Sequence, residues 1–200
     1  MEEKKLILIR HGESEANNDG ILTGQGESRI TQKGIYQAER AAEFLKSRYT
    51  PIDLIYSSPL SRALTTAKKI QEKLSIPVVT DDDLIEMHFG KWEGLHKDDL
   101  RTTEEWDKYI KNPLKYRFPE GESCQIVRKR VEKFKDRVLS DDSWKNAVVV
   151  SHFTPILFFI LLALGIPETS KIPVRIDNGS ISIISYRDTF ELVEMINFVP

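Results

Sequence analysis

The fold of this chain is decided by the stretch Lys5-Leu-Ile-Leu-Ile-Arg-His-Gly-Glu-Ser14, in which four apolar residues run directly into polar ones. A short unbroken apolar run is typical of a strand that is buried on both faces of a parallel sheet. Ligands of open α/β sheets bind at the carboxyl ends of such strands. The stretch by itself therefore indicates either a polar turn after a buried strand or functional side chains at a sheet edge.

The residue types that follow this strand suit a phosphate ligand. Arg10 offers a planar fork of donors that matches phosphate oxygens. His11 can serve as a base, an acid or a nucleophile. Gly12 lets the backbone turn sharply and approach a ligand closely.

The composition indicates a globular protein, with 40% hydrophobic and 30% charged residues among 200. The net charge of −2 gives no general attraction to nucleic acid or to an anionic membrane, so we expect neither partner. The only cysteine is Cys124, which excludes an intramolecular disulfide and a cysteine metal cluster and is compatible with the cytoplasm. The longest apolar run, residues 156–164, is too short to span a membrane.

Strand and helix patterns alternate along the chain. Apolar runs predict strands at 6–9, 54–56, 77–79, 147–150, 181–186 and 190–199. Helical spacing predicts helices at 32–48, 127–138 and 153–164, and a further helix that begins at Ser61. Thr31 and Ser61 are the predicted N-caps. We therefore predict an α/β class protein that forms a three-layer α/β/α sandwich. Its sheet should be mostly parallel, with an antiparallel strand in a terminal hairpin that turns near Arg187-Asp188.

Residues 81–123 lack a sustained period and are long for a single connection. Long excursions of this kind are often functional. We predict one domain over 1–200, with this segment as a small cap-like insertion over the active site.

Three predicted strands end in related polar residues. The first ends in Arg10-His11, the second leads into a segment that ends at Arg62, and the fourth ends in Ser151-His152. The carboxyl ends of parallel strands share one edge of a sheet, so these side chains should converge. Two arginines and two histidines without metal-spaced carboxylates indicate a phosphate pocket rather than a metal site. A histidine after an apolar strand, taken alone, is more often a core residue.

Six segments in order resemble the histidine phosphatase superfamily, also called phosphoglycerate-mutase-like, over most of the chain. They are Leu8-Ile-Arg-His-Gly-Glu13, Ser57-Ser-Pro-Leu-Ser-Arg-Ala63, Leu84-Ile-Glu86 with Phe89-Gly-Lys-Trp-Glu-Gly94, Pro119-Glu-Gly-Glu-Ser123, Ser151-His152 and Asn178-Gly-Ser-Ile181. Within the third segment, Trp92-Glu-Gly94 resembles the small phosphatases, including the broad-specificity and α-ribazole-phosphate groups.

The resemblance implies roles for particular residues. His11 would attack phosphorus, and Glu86 would protonate the leaving oxygen and then activate water. Glu93 lies close by and both carboxyls could be solvated, which is the alternative to a catalytic Glu86; a structural role is the simpler interpretation of Glu93. His152 would complete the catalytic set.

The phosphate oxygens would be bound by Arg10, Arg62 and His152, assisted by Asn17, which occupies the family's phosphate-contacting position. No metal or cofactor is expected, because the arginines supply the positive charge.

The family contains phosphatases and mutases, and two features favour a phosphatase: the short chain, and Met87 where mutases carry an arginine. The pattern His88-Phe89-Gly90 is the signal for a mutase.

Phe153 replaces the family's usual glycine and is expected to reshape the pocket floor. The possible substrate contacts are Thr23, Gly24, Met87, His88 and Phe153.

The predicted function is a metal-independent phosphomonoesterase of the histidine acid-phosphatase type that acts on a small phosphorylated metabolite. The alternatives are a cofactor-dependent phosphoglycerate mutase and a non-catalytic phospholigand-binding module. A monomer or a homodimer in the cytoplasm is expected.

The aromatic residues Trp106, Tyr109 and Tyr116 are most simply the core of the insertion, with a substrate-facing wall as the alternative.

Overall fold

A computed structural model describes residues 3–167, 174–187 and 190–200. Its single sheet has the strand order β3-β2-β4-β1-β5-β6. The strands are β1 Lys4–Arg10, β2 Leu54–Ser57, β3 Val78–Thr80, β4 Asn146–Ser151, β5 Ile181–Arg187 and β6 Phe190–Phe198. The first four are mutually parallel, whereas β5 runs antiparallel to β1 and β6 runs antiparallel to β5. The predicted mostly parallel sheet with an antiparallel strand is confirmed: β5 runs opposite to the other five strands. The predicted turn at Asp188 lies outside the described residues.

Seven α-helices are present in the described part of the chain. They are α1 Glu15–Asn18, α2 Gln32–Arg48, α3 Ser61–Leu74, α4 Lys97–Leu100, α5 Glu104–Lys111, α6 Cys124–Leu139 and α7 Phe153–Ala163. The capping role predicted for Thr31 is confirmed, since its side chain accepts from Gly34 N. The capping role predicted for Ser61 is wrong: Leu60 is the N-cap of α3, and the Ser61 side chain turns to Glu27 instead.

Helices cover both faces of the sheet. Alternate residues of β1 point to opposite faces, so Ile7 and Ile9 join a core under α2 and α3, while Leu6 and Leu8 join a second core under α6 and α7. Helix α7 is buried over nearly its whole length, as its apolar sequence predicts. The result is the predicted three-layer α/β/α arrangement.

The segment between β3 and α6 contains two short 3-10 turns, Asp82–Leu84 and Gly90–Trp92, followed by α4 and α5. Its aromatic side chains pack together and continue the core under α6 and α7. None of the described helices combines the length and the apolar character needed to cross a membrane.

The register of the parallel strands sets the position of the site. Arg10 pairs with Ser151, and Ser57 pairs with Val150, so β1, β2 and β4 end at one level. The residues that follow these strands therefore meet at the carboxyl edge of the sheet, as the sequence predicts.

Candidate active site

A cavity of about 270 Å³ opens at this edge of the sheet. Its polar lining is Arg10, His11, Asn17, Thr23, Gly24, Arg62, Glu86 and Lys97, and its apolar lining is Ile21, Leu22, Phe89, Trp92, Trp106, Tyr109, Phe118 and Phe153. The polar groups gather where the strands end, and much of the apolar wall comes from the segment between β3 and α6.

His11 lies just past the end of β1 and is almost fully buried. Its Nδ1 is 2.7 Å from the carbonyl oxygen of Gly12. A carbonyl can only accept, so this contact assigns the ring proton to Nδ1 and leaves Nε2 with a free electron pair. Burial lowers the pKa of His11 well below its ordinary value, and the charges of Arg10 and Arg62 lower it further. The ring is therefore neutral at pH 7, the state that a nucleophile needs.

Gly12 allows the loop after β1 to pass directly against helix α2. A Cβ built on Gly12 would lie 2.2 Å from Gly34 O, and one on Gly34 would lie 2.1 Å from Glu13 O. The Gly12 amide also donates to Thr66 Oγ1 on α3 at 3.0 Å. Only residues without a Cβ permit this approach, which fixes the backbone that carries His11.

Arg10 and Asn17 extend the polar corner on one side. Arg10 Nη1 donates to Ile176 O at 2.7 Å, and its buried Nε has no hydrogen-bond partner among the described residues. Asn17 Oδ1 accepts from Ser14 N and from Asn178 Nδ2, at 3.3 and 3.0 Å. Since the amide oxygen is occupied, the Asn17 NH₂ group is the end that remains for an anion.

Arg62 is the second residue of α3 and is held by the loop on the other side of the cavity. Its Nη1 donates to Gly26 O at 2.8 Å and its Nη2 donates to Gly24 O at 2.6 Å. These bonds hold the guanidinium plane in one orientation. The cavity thus contains two arginines from different elements, a geometry suited to bidentate binding of phosphate oxygens.

Glu86 is a buried carboxyl that faces the same cavity. Its Oε1 accepts from Met87 N at 2.8 Å and from Thr154 N at 3.2 Å. Its Oε2 has a longer contact of 3.5 Å with Thr154 N. Oε2 is therefore the oxygen that is freer to exchange a proton.

His152 lies beside His11, with 4.9 Å between the ring centroids. Its Nε2 is 2.8 Å from Ser58 Oγ, an oxygen that also accepts a long bond from Leu60 N. We take the Ser58 hydroxyl as the donor to His152 Nε2, which places the ring proton on Nδ1. That buried Nδ1 has no partner among the described residues and is a donor available to an anion.

Burial also lowers the pKa of His152 well below its ordinary value, with smaller contributions from His11 and Arg62. Both imidazoles are consequently neutral at pH 7. His11 presents an electron pair on Nε2, and His152 presents a hydrogen-bond donor on Nδ1. Phosphoryl transfer can use both groups, one to attack phosphorus and one to stabilise the charge on its oxygens.

The predicted substrate contacts divide into two groups. Thr23, Gly24 and Phe153 line the cavity, and the Thr23 hydroxyl has no partner among the described residues. Phe153 also lies with its ring 5.9 Å from the Arg10 guanidinium carbon, so its bulk sits beside the polar corner.

Met87 and His88 do not line the cavity. Met87 is 4% exposed and belongs to the core under α6 and α7, so the substrate contact predicted for it is a misassignment. His88 is directed toward solvent, with Nε2 3.9 Å from Glu93. Neither side chain is placed to touch a ligand bound at His11.

Glu93 supports the cavity wall from behind. Its Oε1 accepts from Gln25 N at 3.0 Å and from Phe89 N at 2.9 Å. These bonds tie the loop after α1 to the segment that carries Glu86, which agrees with the structural role expected for Glu93.

The aromatic residues are both core and wall. Trp106 and Tyr109 pack against each other at 5.4 Å and also line the cavity, whereas Tyr116 contributes only to the packing. The sequence favoured the core interpretation and left a substrate-facing wall as the alternative, and Trp106 and Tyr109 take both positions. Sequence reasoning missed Lys97, which lies in a stretch without periodic signal and whose side chain reaches the cavity.

Among the described residues, no group of three or more His, Cys, Asp or Glu side chains is arranged to hold a metal ion. The fold and the site define an α/β/α protein with a cavity at the carboxyl edge of its sheet that is lined by Arg10, His11, Arg62 and Glu86, with His152 packed beside His11. The chain belongs to the histidine phosphatase superfamily (branch 1), whose family model matches residues 6–198.

Several of the proteins that this chain resembles in sequence and in structure are named as phosphatases. Phosphoserine phosphatase 1 of Hydrogenobacter thermophilus is 32% identical over 195 residues, which cover 96% of this chain and 92% of that protein. The adenosylcobalamin/α-ribazole phosphatase of Escherichia coli is 33% identical over 196 residues, covering 96% and 95%. The crystal structure of the α-ribazole phosphatase from Shigella flexneri is similar with a TM-score of 0.85 at 32% identity, covering 97% of this chain and 96% of that one.

Proposed function

We propose that the protein is a metal-independent phosphomonoesterase that hydrolyses a small phosphorylated metabolite through a phosphohistidine. The observation that carries this proposal is the contact between His11 Nδ1 and Gly12 O. It gives a buried, neutral imidazole whose Nε2 electron pair is free inside an arginine-lined cavity. A site that only bound phosphate would have no need of a nucleophile held in this way.

The proposed donors to the phosphoryl group are Arg10, Arg62 and Asn17, which line the cavity, and His152, which lies beside His11. Arg10, Arg62, the Asn17 amide and His152 Nδ1 contact its oxygens. The two guanidinium groups neutralise the charge that spreads over these oxygens during transfer, so no metal ion is required for that purpose.

In the first step, His11 Nε2 forms a bond to phosphorus while the bond from phosphorus to the ester oxygen breaks. Glu86 gives its proton from Oε2 to the departing oxygen, which leaves as an alcohol. The products of this step are phosphohistidine and a Glu86 carboxylate.

In the second step, the Glu86 carboxylate takes a proton from a water molecule. The water oxygen bonds to phosphorus, and the P–N bond breaks with its electron pair returning to His11 Nε2. Inorganic phosphate leaves, and both residues regain their starting protonation states.

The segment 81–123 acts in this proposal as a cap over the active site. Its support is the aromatic wall that Phe89, Trp92, Trp106 and Tyr109 contribute to the cavity. The names of the relatives suggest phosphoserine and α-ribazole phosphate as first candidates for the substrate.

Phosphate release from a panel of phosphorylated metabolites, with and without a chelator, tests this function. We expect multiple turnover on at least one ester, unchanged by EDTA. Turnover that requires a bisphosphoglycerate primer and moves the phosphoryl group to a second hydroxyl would indicate the mutase. Binding of esters without release would indicate a phospholigand-binding module, and strict dependence on Mg²⁺ would contradict the mechanism.

A further inference from the structure

Arg130 is a largely buried cation that the proposed mechanism does not use. It lies on α6, its side chain is 11% exposed, and it does not line the cavity. Its Nε and Nη2 atoms are buried and have no hydrogen-bond partner among the described residues. A buried guanidinium with unmade hydrogen bonds carries a desolvation cost that an apolar side chain would avoid. Packing alone therefore does not account for an arginine at this position.

The contacts of Arg130 lie on both sides of Glu86 in the chain. Arg130 Nη1 donates to Asp83 O at 2.8 Å, three residues before Glu86. Arg130 Nη2 lies 3.6 Å from Glu122 Oε2, and the same oxygen accepts from His88 N at 2.8 Å, two residues after Glu86. The Glu122 amide also donates to His88 O at 2.8 Å. One guanidinium group thus holds the chain before Glu86 directly and the chain after it through Glu122.

The position of the Glu86 carboxyl depends on the path of this segment. Its Oε1 accepts from Met87 N, which is a backbone group of the segment itself. A shift of residues 83–88 would therefore move Oε2 relative to the ester oxygen. Proton transfer needs a distance of about 2.6–3.2 Å between the two oxygens, and a displacement of about 1 Å can lower a rate about a hundredfold.

The charge of Arg130 also reaches the site. Burial lowers the pKa of Arg130, and the negative charges of Glu122 and Glu86 act in the opposite direction. Burial is likewise the main cause of the lowered pKa of His152, and the charge of Arg130 adds to it. The guanidinium therefore lies close enough to interact with Glu86 and His152 without entering the cavity.

We propose that Arg130 is a positioning residue for the catalytic carboxyl. It holds residues 83–88 from both ends, so that Glu86 Oε2 meets the ester oxygen in the first step and the water molecule in the second. This inference rests on the proposed phosphatase function and adds to it a residue that contacts neither the substrate nor the phosphoryl group.

Two esters test the proposal in the wild type and in Arg130→Met. One is the alkyl ester of the metabolite panel that the wild type hydrolyses fastest, and the other is nitrophenyl phosphate. We expect kcat/KM for the alkyl ester to fall about tenfold to a hundredfold, because its leaving oxygen needs a proton from a well-placed Glu86. The value for nitrophenyl phosphate should stay within about threefold, because nitrophenolate leaves without a proton. A general loss of packing would lower both values.

A double-mutant cycle shows whether Arg130 acts through Glu86. Once Glu86→Gln has removed the proton donor, adding Arg130→Met should change kcat/KM for the alkyl ester by less than about twofold. Arg130→Lys keeps the charge and one donor for Asp83 O, so it should recover part of the loss. Lys133→Met is the matched control, because Lys133 is an exposed cation of the same helix that also pairs with Asp83, through Oδ2 at 3.2 Å. It should keep both wild-type values.

Equal losses on the two esters in Arg130→Met, or no loss on either, would overturn the assignment of Arg130, as would a further large loss in the Glu86→Gln background. Should Arg130→Met fail to fold, Glu122→Gln carries the same test, since it keeps the shape of the side chain and removes the charge that faces Arg130. A wild type that hydrolyses no alkyl ester of the panel would instead contradict the proposed phosphatase function, so the two failures are distinguishable.

Discussion

His11, Glu86 and His152 differ in which of their polar atoms are already occupied, and this difference assigns their proposed roles. His11 is bonded through Nδ1 and presents Nε2, whereas His152 is bonded through Nε2 and presents Nδ1. Glu86 is held through Oε1 and keeps Oε2 freer. One group is therefore placed to donate electrons, one to donate a hydrogen bond, and one to exchange a proton.

Replacing Glu86 with glutamine removes the proposed proton donor without changing the shape of the side chain. We expect kcat/KM for an alkyl phosphate to fall about a hundredfold to ten-thousandfold, the usual contribution of general acid catalysis. The loss for nitrophenyl phosphate should be much smaller, because nitrophenolate leaves without a proton. The measurement is kcat/KM for both esters, which reports the steps through release of the first product.

Glu93→Gln is the matched control for this prediction. Glu93 contacts backbone amides behind the cavity wall, so its replacement should affect both esters by a similar factor. A Glu86→Gln loss that is equal for the two esters would mean that Glu86 is not the acid.

Residues that directly follow strands could be placed from the sequence, and residues in irregular segments could not. Parallel strands share a carboxyl edge, which is why Arg10, His11 and His152 could be expected together. Met87 and Lys97 lie in a stretch with no period. Nothing in the sequence shows which way their side chains point. Met87 was therefore predicted to contact the substrate although it lies in the core, and Lys97 was missed although it lines the cavity.

At the scale of elements, the loop after β1 passes very close to the start of α2. Gly12 and Gly34 face each other there, and Thr66 on α3 accepts the Gly12 amide. The loop that carries His11 is thereby held between two helices of the same layer.

Gly34→Ala should destabilise the protein, although alanine is the better helix former. The added Cβ would lie 2.1 Å from Glu13 O, so the loop or the helix must shift. We expect the free energy of unfolding to fall by about 1–3 kcal/mol, the usual cost of overpacking, with a loss of kcat as His11 moves. Chemical denaturation and steady-state kinetics provide the two readouts.

The control is Glu39→Ala, an exposed position in the same helix, which should stay within about 0.5 kcal/mol of the wild type. A Gly34→Ala protein that matches or exceeds the wild-type stability would show that the contact is not tight in solution.

Elements with a clear period were predicted well, because burial of one face imposes that period. Helix α2 has the predicted bounds, and the apolar sequence of α7 matches its burial. The cap at Ser61 failed because its hydroxyl found a tertiary partner, Glu27, that is remote in sequence. The segment 81–123 was predicted as a cap-like insertion, and its packing depends on aromatic contacts that no local pattern predicts.

At the scale of the whole molecule, the strand order brings residues that are far apart in the sequence into contact at the site. Strand β4 lies between β1 and β2, so the residues after these strands, His11, Ser58 and His152, meet across neighbouring strands. The core under α2 and α3 and the core under α6 and α7 hold the sheet from both sides. The sheet is therefore a rigid base on which a preorganised phosphate pocket can be built.

Direct detection of a phosphoryl group on His11 tests the central claim of this account. Glu86→Gln slows the activation of water, so the intermediate should accumulate in that variant after mixing with nitrophenyl phosphate. Rapid quenching and peptide mass spectrometry should find one acid-labile phosphoryl group, on His11, and none in Glu86→Gln combined with His11→Ala. A phosphoryl group on another residue, or full turnover by His11→Ala alone, would contradict the mechanism.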